Sequence, residues 1–499
     1  MSTVADLEVA IVGYGPVGAV MTGLLARRGV RVAAFERGAD VFTLPRAAHF
    51  DAEVARTFQF LGAMDTILPA TRPTSGMDFV DAEGRVLMAF ETEEDEIEEG
   101  WPRSFMFHQP DMERALRARV AELPSASVHL EHEVLDVTDR GDHVELTVRD
   151  LTTGTDRTVR AAYVVGCDGA RSLVRSTMGT RLEDLGFDQP WLVVDAMLHG
   201  EADLPARPTQ YCTPSRPATF IPSAGAHRRW EFMLLPGEDP AAMEDPRRIR
   251  ELITPWVDPD ALEIIRSAVY SFHALIADGW RRGRLLLAGD AAHQTPPFLG
   301  QGMCAGIRDA ANLEWKLTRV LRGASDPSIL DTYESERSPH VRAFIETAVA
   351  AGRIIQTTDP DEAAARDAFL LDRSVERPPT PAVPPIGPGL GAADDPARTC
   401  RVPQPIDAEG RRRDDLLGDD VALVVDPTMW TALDATERRA IDDRLPVVPS
   451  PLLAPWLAEL GVVAVVIRPD RHVLASASTG ADLAAAVQAG FRGLAPTGG

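Results

Sequence analysis

The sequence predicts an α/β protein built on a parallel sheet, with a strand-rich region inserted into it and a separate C-terminal domain. Three observations predict this fold. An apolar run at residues 9–12 leads into a glycine-rich turn and a helix-like stretch. Two more strand-like runs, at residues 163–166 and 285–288, are each followed within two positions by an acidic residue. Alternating strand patterns occupy the segment between those two runs.

Composition sets the class of protein and excludes several partners. At 499 residues the chain is long enough for two or three domains, and 45% hydrophobic and 25% charged residues are typical of globular proteins. The net charge of −24 opposes binding to nucleic acid and to anionic membrane surfaces. No apolar stretch approaches the roughly 20 residues of a membrane span.

The cysteines indicate neither a metal site nor a disulfide framework. They are few and lack any short paired spacing, so we expect no bound metal and a reducing, cytoplasmic location. The four residues are Cys167, Cys212, Cys304 and Cys400.

The N-terminal turn carries the first motif. Gly13, Gly15 and Gly18 precede a helix-like stretch, and the next apolar run ends at Glu36, 18 residues after Gly18. This is the complete strand–turn–helix–strand unit of a Rossmann-like dinucleotide-binding domain.

Each residue of this unit has a physical role. Gly13 permits the tight turn, Gly15 and Pro16 lie where a pyrophosphate meets the positive end of the helix, and Gly18 lets the helix pack on the strand. Glu36 can accept hydrogen bonds from both ribose hydroxyls. The unit alone does not distinguish FAD from NAD.

Two later segments distinguish them. Asp168 with Gly169 follows one apolar run, and Gly289 with Asp290 follows the other and leads into a glycine-rich turn at Gly300. A carboxylate at such a strand end can accept from a ribitol hydroxyl, and the N–H groups of the next helix can face a cofactor carbonyl or phosphate. A simple NAD-dependent dehydrogenase needs neither segment.

In this order the three motifs resemble those of the class A, single-component FAD-dependent aromatic hydroxylases, the p-hydroxybenzoate and phenol hydroxylase group. The resemblance is strong over roughly residues 5–350. Within the group the chain is most similar to 3-(3-hydroxyphenyl)propionate hydroxylases. That closer similarity is carried by residues 45–53, 100–110, 229–237 and 306–317.

The resemblance implies FAD and NAD(P)H as cofactors, O2 as co-substrate and a small aromatic substrate. It implies that Arg46 and Gln109 contact FAD, that Asp168 lies near FAD and the nicotinamide path, and that Asp290 binds the ribityl chain. The expected cofactor contacts are Gly13, Gly15, Pro16, Gly18, Glu36, Arg37, Arg46, Gln109, Val134, Asp168, Gly289, Asp290, Pro297, Gly300, Gly302 and Met303.

The resemblance also implies that a flavin C4a-hydroperoxide transfers oxygen to the ring, so that the cofactor carries the difficult step. Pro297, Gly300 and Gln301 are then expected beside the isoalloxazine ring. His49 is our candidate pocket histidine, for catalysis and for substrate contact. Pro297 and two aromatic residues on the predicted sheet, Tyr211 and Trp230, are further candidate substrate contacts.

The expected domain division is discontinuous. The Pro/Gly-dense end of residues 351–405 predicts a linker, and the apolar runs beyond it resemble the thioredoxin-like tail of phenol hydroxylase relatives. That tail has no paired cysteines, so we expect it to serve packing or formation of a homodimer. The divisions are residues 1–75, 105–185 and 280–350 for the FAD-binding domain, 76–104 and 186–279 for the substrate-binding domain, 351–405 for a helical segment and linker, and 406–499 for the thioredoxin-like domain.

The resulting hypothesis is an FAD-dependent monooxygenase that hydroxylates a phenolic ring, such as a 3-hydroxyphenylpropionate-like acid. Two alternatives stay open. One is a tailoring oxygenase that performs hydroxylation, epoxidation or Baeyer–Villiger insertion on a polycyclic aromatic polyketide. The other is a non-catalytic flavin-binding protein. Motifs that bind a cofactor do not decide between them, because function resides in the pocket.

Overall fold

The computed structural model describes residues 6–42, 46–91, 97–372, 374, 383–492 and 494. Pro45 and residues 375–382 of the expected linker lie outside these ranges. The strands are β1 (Leu7–Val12), β2 (Val32–Glu36), β3 (His49–Asp51), β4 (Thr71–Pro73), β5 (Gly76–Val80), β6 (Val86–Glu91), β7 (Ile97–Glu98), β8 (Trp101–Pro102), β9 (Ser104–Phe107), β10 (Ala126–Leu130), β11 (His132–Asp139), β12 (Val144–Asp150), β13 (Asp156–Gly166), β14 (Leu182–Leu198), β15 (Thr209–Tyr211), β16 (Ala218–Ile221), β17 (His227–Met233), β18 (Leu262–Ala277), β19 (Arg281–Arg282), β20 (Leu285–Leu287), β21 (His293–Gln294), β22 (Ala422–Val425), β23 (Val447–Pro449), β24 (Ala464–Ile467) and β25 (Val473–Ala477). The α-helices are α1 (Pro16–Arg27), α2 (Ala52–Leu61), α3 (Met64–Ile67), α4 (Gln109–Ala121), α5 (Leu173–Met178), α6 (Pro240–Met243), α7 (Pro246–Ile253), α8 (Gly302–Leu321), α9 (Asp331–Ile355), α10 (Pro360–Leu371), α11 (Asp414–Leu417), α12 (Pro427–Ala432), α13 (Ala435–Asp442), α14 (Ala454–Glu459) and α15 (Leu483–Arg492).

The first sheet contains the predicted dinucleotide-binding unit. Its strands run in the order β10-β2-β1-β13-β12-β11, and β20 also pairs with β13. The pairs β10–β2, β2–β1, β1–β13 and β13–β20 are parallel, whereas β11, β12 and β13 form antiparallel pairs. The carboxyl ends of parallel strands meet at one edge of a sheet, which is where open α/β folds bind ligands. The segments after β1, β2, β13 and β20 are those that carry the sequence motifs.

Helix α8 packs closely on α1 at this edge. A Cβ atom added at Gly306 would lie 2.5 Å from a methyl group of Val17 and 2.9 Å from the Cα of Gly289. Only a residue without a side chain allows this approach. The starts of both helices are therefore held beside the same sheet edge.

The second sheet has eight strands in the order β21-β18-β14-β17-β16-β15-β5-β6. Because side chains alternate along a strand, its two faces carry different residues. Leu192, Phe220 and Trp230 belong to an apolar cluster with residues of α6 and α7, on what we call the far face. Trp191 and Met233 lie on the opposite, near face and belong to the core cluster shared with the first sheet.

The C-terminal sheet runs in the order β23-β22-β24-β25, with β22–β23 parallel and the other pairs antiparallel. A buried ion group ties this region to α8 and α9. Glu336 accepts from Arg468 Nη1 and Nη2, both at 2.8 Å, and from Lys316 Nζ at 2.7 Å. Lys316 is the only lysine of the chain.

The predicted α/β class is confirmed, and the first sheet and the C-terminal sheet each contain parallel and antiparallel pairs. Among the residues that the structure describes, no helix is both long enough and apolar enough to cross a membrane.

Candidate active site

The turn after β1 forms a narrow backbone cradle. Gly13 has φ +93°, and a Cβ atom there would lie 2.5 Å from the carbonyl oxygen of Cys167. A Cβ atom at Gly18 would lie 2.1 Å from the carbonyl oxygen of Gly13. Gly15 is the N-cap of α1 and Pro16 is its first residue, so no side chain caps the helix. The first N–H groups of α1 thus remain available to an anion.

Glu36, at the end of β2, faces this turn. Its Oε2 accepts from the N–H of Tyr14 at 2.9 Å and its Oε1 from the N–H of Gly38 at 2.8 Å. These bonds fix the carboxylate beside the glycine turn. Arg37 is exposed next to it, and Val134 is buried in β11, which contacts β2.

Gln109 holds the segment that carries Arg46. Its Oε1 accepts from the N–H of Arg46 at 2.7 Å and of Ala47 at 2.8 Å, while its Nε2 donates to Glu113 at 2.7 Å. The guanidinium of Arg46 extends into solvent, and its Nη1 lies 4.0 Å from Asp290 Oδ2. Arg46 and Asp290, which are distant in sequence, therefore face each other.

Asp168 begins α5. Its Oδ2 accepts from the N–H groups of Leu173 at 2.7 Å and Val174 at 3.2 Å. Its Oδ1 is buried without a hydrogen-bond partner, and burial raises the pKa of this carboxyl. Since a buried acceptor without a donor is costly, this oxygen indicates a ligand donor at the site.

The Gly289–Asp290 turn is anchored by Asp309 of α8, which the sequence did not single out. Asp309 Oδ2 accepts from the N–H of Gly289 at 3.1 Å and from His293 Nε2 at 2.7 Å. Asp309 Oδ1 accepts from Arg337 Nε at 2.9 Å. Asp290 itself is half exposed, so its carboxylate is free to face a cofactor.

The loop from Pro297 to Gly302 runs into the start of α8. Gly300 has φ +65°, and a Cβ atom there would lie 3.1 Å from Nδ1 of His49. Gln301 is the N-cap of α8 but does not cap it with its side chain. Instead, its amide donates to Asp51 at 3.2 Å and accepts from Arg308 at 2.9 Å. The first N–H groups of α8, including that of the half-buried Met303, thus lack a side-chain acceptor.

His49 lies under this loop. Its Nε2 is 2.6 Å from the hydroxyl of Ser104, and its Nδ1 is buried without a partner. Burial lowers the pKa of His49, so the imidazole is neutral at neutral pH. A neutral ring with one free nitrogen can exchange a hydrogen bond with a ligand but does not add positive charge.

Tyr211 and Trp230 lie on the far face of the second sheet. Trp230 is fully buried against Phe220, with ring centroids 5.2 Å apart, and Tyr211 packs on Trp256 at 5.4 Å. Both side chains therefore pack on the side of α6 and α7, and their expected contact with substrate stays a prediction. Strand alternation was recognised in the sequence, but the parity that faces the first sheet depends on where α6 and α7 pack.

The residues that alternate with these along the strands lie on the near face. Trp191 packs on Phe298 of the Pro297–Leu299 turn, with ring centroids 5.6 Å apart. Arg229 donates from Nη1 to the carbonyl oxygen of Arg46 at 2.7 Å. Glu231, between Arg229 and Met233 on β17, is buried on this face. These near-face residues, which the sequence does not indicate as site residues, lie against the Pro297–Leu299 turn and the Arg46 segment.

One group of potential metal ligands lies nearby but is not arranged as a metal centre. Ligand atoms of His108, Asp111 and His227 lie within 4.8 Å of one another. The two imidazole rings stack at 3.8 Å, and His108 Nδ1 already bonds Asp111 at 2.8 Å. Stacked rings do not direct two nitrogens at one ion.

Comparison with known proteins identifies the class of cofactor. A family model described as an FAD binding domain matches residues 6–348. The chain belongs to this FAD-binding family. The site fits that cofactor, because the uncapped start of α1 and the partnerless Asp168 Oδ1 each provide a polar group that such a ligand satisfies. The predicted family and cofactor are therefore confirmed.

Named relatives specify the type of flavoenzyme. Over 369 residues the chain is 40% identical to a probable NADH-specific resorcinol 4-hydroxylase of Rhodococcus jostii, covering 73% of this chain and 68% of that protein. It is 34% identical to a 3-(3-hydroxy-phenyl)propionate/3-hydroxycinnamic acid hydroxylase of Burkholderia cenocepacia, covering 98% and 96%. The predicted enzyme class, an FAD-dependent aromatic hydroxylase, is confirmed by these sequence similarities.

A solved structure confirms the fold over nearly the whole chain. The ternary complex of aklavinone-11 hydroxylase with FAD and aklavinone has a TM-score of 0.81 at 24% identity and covers 98% of this chain and 100% of that one. The likeness therefore includes the C-terminal region.

Proposed function

We propose that this FAD-dependent monooxygenase uses NAD(P)H and O2 to hydroxylate a phenolic ring bound between the first sheet and the near face of the second. The observation that carries the proposal is the meeting of three elements at one place. These are the glycine cradle after β1, the uncapped start of α8, and the near face, which contacts Phe298 through Trp191 and the Arg46 carbonyl through Arg229. When bound, FAD supplies the oxygen chemistry and NAD(P)H supplies the electrons.

The chain's own groups bind and orient the cofactor. In this proposal the start of α1 binds the pyrophosphate, Glu36 the ribose, and Asp290 the ribityl chain, with Arg46 opposite. The N-terminus of α8 places partial positive charge beside the ring, where it stabilises negative charge. The backbone from Pro297 to Gly302, and not an acid or base side chain, is the proposed neighbour of the reacting atoms.

The near face excludes water from this space. Trp191, Phe187 and Phe272 pack around Phe298, with ring centroids 5.6–6.3 Å from it. Their apolar rings limit access of solvent to the loop, which protects a reactive oxygen species from side reactions. His49 supplies one unpaired nitrogen from below.

The test is direct. Purified protein should contain FAD, and a phenolic substrate should accelerate NADH or NADPH oxidation and yield a product heavier by one oxygen atom. A protein with no bound flavin and no affinity for FAD would refute the proposal. Peroxide formation without the mass gain would identify a false substrate.

Asp290→Ala tests the cofactor placement. We expect the variant to lose FAD during gel filtration, because it removes the carboxylate expected at the ribityl chain. Asp278→Ala is the matched control, since its side chain is 74% exposed and lies outside the site. Equal FAD retention in both variants would contradict the placement of Asp290.

A second candidate is a tailoring oxygenase of a polycyclic aromatic compound. The same fold occurs in a hydroxylase solved with FAD and aklavinone, so the fold leaves this candidate open. Including polycyclic phenols beside phenolic acids in the same screen separates the candidates. Stimulated oxidation with coupled product only from polycyclic compounds would favour the second.

We also propose that the C-terminal region is a thioredoxin-like domain. Its support is the strand order β23-β22-β24-β25 with one parallel pair, followed by the terminal helix α15. Packing or a homodimer interface is the proposed role.

We also propose a cytoplasmic location, which is supported by four free thiols. The division into FAD-binding and substrate-binding domains follows the first two sheets and is likewise a proposal.

A further inference from the structure

A row of polar side chains crosses the near face of the second sheet. Gln210 pairs in register with Thr219, and Thr219 pairs with Glu231, so the three lie side by side on β15, β16 and β17. All three are more than 95% buried. On β16 and β17, the residues directly before and after Thr219 and Glu231 point to the opposite face and belong to the apolar far-face cluster. Polar groups buried together need partners.

The row has unused hydrogen-bonding capacity at both ends. Thr219 donates to Gln210 Oε1 at 2.5 Å. The amide nitrogen of Gln210 has the thioether sulfur of Met77, at 3.6 Å, as its acceptor, and sulfur is a weak one. Glu231 Oε1 lies 3.8 Å from Arg229 Nη1, too far for a hydrogen bond. An amide donor and a carboxylate acceptor therefore remain for a ligand.

Neighbouring residues on β17 place the row in front of the proposed flavin site. Arg229, two positions before Glu231, donates to the carbonyl oxygen of Arg46. Met233, two positions after it, pairs in register with Trp191, which packs on Phe298 with ring centroids 5.6 Å apart. Since alternate residues share a face, Glu231 lies between the Arg46 segment and the Pro297–Leu299 turn.

The charges around Glu231 leave it without full neutralisation. Arg229 donates from Nε to Asp195 Oδ1 at 2.7 Å, and Arg266 Nη1 lies 3.9 Å from Asp195 Oδ2. Arg229 is thus shared with Asp195, and Arg46 points toward Asp290. Burial raises the pKa of Glu231 to about 7, against the opposing effect of Arg229.

We propose that Gln210, Thr219 and Glu231 form the substrate-recognition row, and that it binds the hydroxyl groups of a neutral di- or polyhydroxylated aromatic ring. One phenolic O–H donates to Glu231, and the oxygen of another hydroxyl group on the ring accepts from the Gln210 amide. A substrate carboxylate placed here would meet a buried carboxylate, so the row discriminates against ring acids that enter with the acid toward β17. The inference rests on the proposed function and specifies its substrate class.

The experiment titrates FAD-loaded enzyme with resorcinol, phenol and 3-(3-hydroxyphenyl)propionate, and reads Kd from the flavin absorbance change. Glu231→Gln should weaken resorcinol binding roughly tenfold to a hundredfold, the range for hydrogen bonds to a charged group. It should leave binding of the acid unchanged or tighter. Glu263→Gln, the same change at an exposed position of the same sheet, is the control.

The pH dependence separates recognition from a merely structural role. Glu231 accepts best when ionised, so the wild-type Kd for resorcinol should rise as pH falls through about 7. In Glu231→Gln this dependence should disappear. A wild-type Kd that does not change between pH 6 and 8 contradicts the inference.

Thr219→Val provides a second test if Glu231→Gln does not retain FAD. It removes the hydroxyl that orients Gln210 and should weaken resorcinol roughly twofold to tenfold. The proposed recognition row is refuted if both variants bind resorcinol with the same Kd as the wild-type enzyme. It is also refuted if the wild-type enzyme binds the acid more tightly than resorcinol. A wild-type enzyme that no phenol stimulates refutes the proposed function instead, so the two failures are distinguishable.

Discussion

Asp309→Asn is the substitution that tests how the cofactor turn is held. The Asp309 carboxylate accepts hydrogen bonds from three groups, namely the N–H of Gly289, His293 Nε2 and Arg337 Nε. An asparagine has nearly the same shape, but its NH2 group must face at least one of these donors. It also leaves the buried Arg337 without its carboxylate.

The magnitude follows from this geometry. Breaking a buried ion pair by removing one partner costs about 3–5 kcal/mol. For domains of this size that corresponds to a fall in Tm of roughly 6–20 °C. Because Asp309 positions the turn that carries Asp290, FAD should also dissociate at least roughly tenfold more readily, which is about 1.4 kcal/mol.

The assay combines thermal unfolding of the holoenzyme with FAD release measured by flavin fluorescence. Asp331→Asn is the control, because that carboxylate pairs with Arg281 at the surface and is 69% exposed. Burial opposes ionisation of Asp309, but His293 and Arg337 outweigh it and lower its pKa. Its stabilisation is therefore present at neutral pH and lost on acidification below the unfolded value near 4. Wild-type Tm and FAD retention in Asp309→Asn would refute this account.

Two further predictions concern the glycine cradle and the C-terminal contact. Gly18→Ala should abolish FAD binding in a flavin titration, because its Cβ atom would lie 2.1 Å from a backbone oxygen that cannot move without opening the turn; an alanine variant with wild-type FAD affinity would contradict that geometry. Glu336→Gln should make the C-terminal region sensitive to limited proteolysis, since it removes the carboxylate that the buried Arg468 and Lys316 share and leaves Arg468 with Asp470 alone; an unchanged cleavage pattern would show that the Glu336 ion pairs do not hold the region.

The cofactor side of the site could be predicted from sequence because its signals are local. Gly13 in the turn after β1 and Gly18 in the first turn of α1 are close in sequence, and the spacing to Glu36 indicates a complete strand–helix–strand unit. The backbone geometry then needs glycine at fixed positions, so residue identity alone indicates the conformation. Asp168 and Asp290 could be placed because each follows a buried strand directly.

The substrate side could not be predicted in the same way. Tyr211 and Glu231 both lie on strands with clear alternation, but the sequence does not show which set of alternate residues packs on α6 and α7 and which lies on the opposite face. Asp309 is an acidic residue within a helix, seven positions after Gly302, and nothing near it in sequence announces that it holds Gly289. Such contacts arise between segments far apart in the chain, where pattern carries no distance information.

The buried Lys316 has a practical consequence for chemical work on this protein. It is the only lysine of the chain, its side chain is fully buried, and burial lowers its pKa to about 8. At mildly alkaline pH this amine would be largely deprotonated and therefore reactive, but an amine-directed reagent could not reach it in the folded molecule. Apart from the α-amino group, acylation or cross-linking at an amine thus requires the packing around Lys316, which involves α9 and the C-terminal region, to open. A single lysine adduct would report that opening, without any label introduced by mutation.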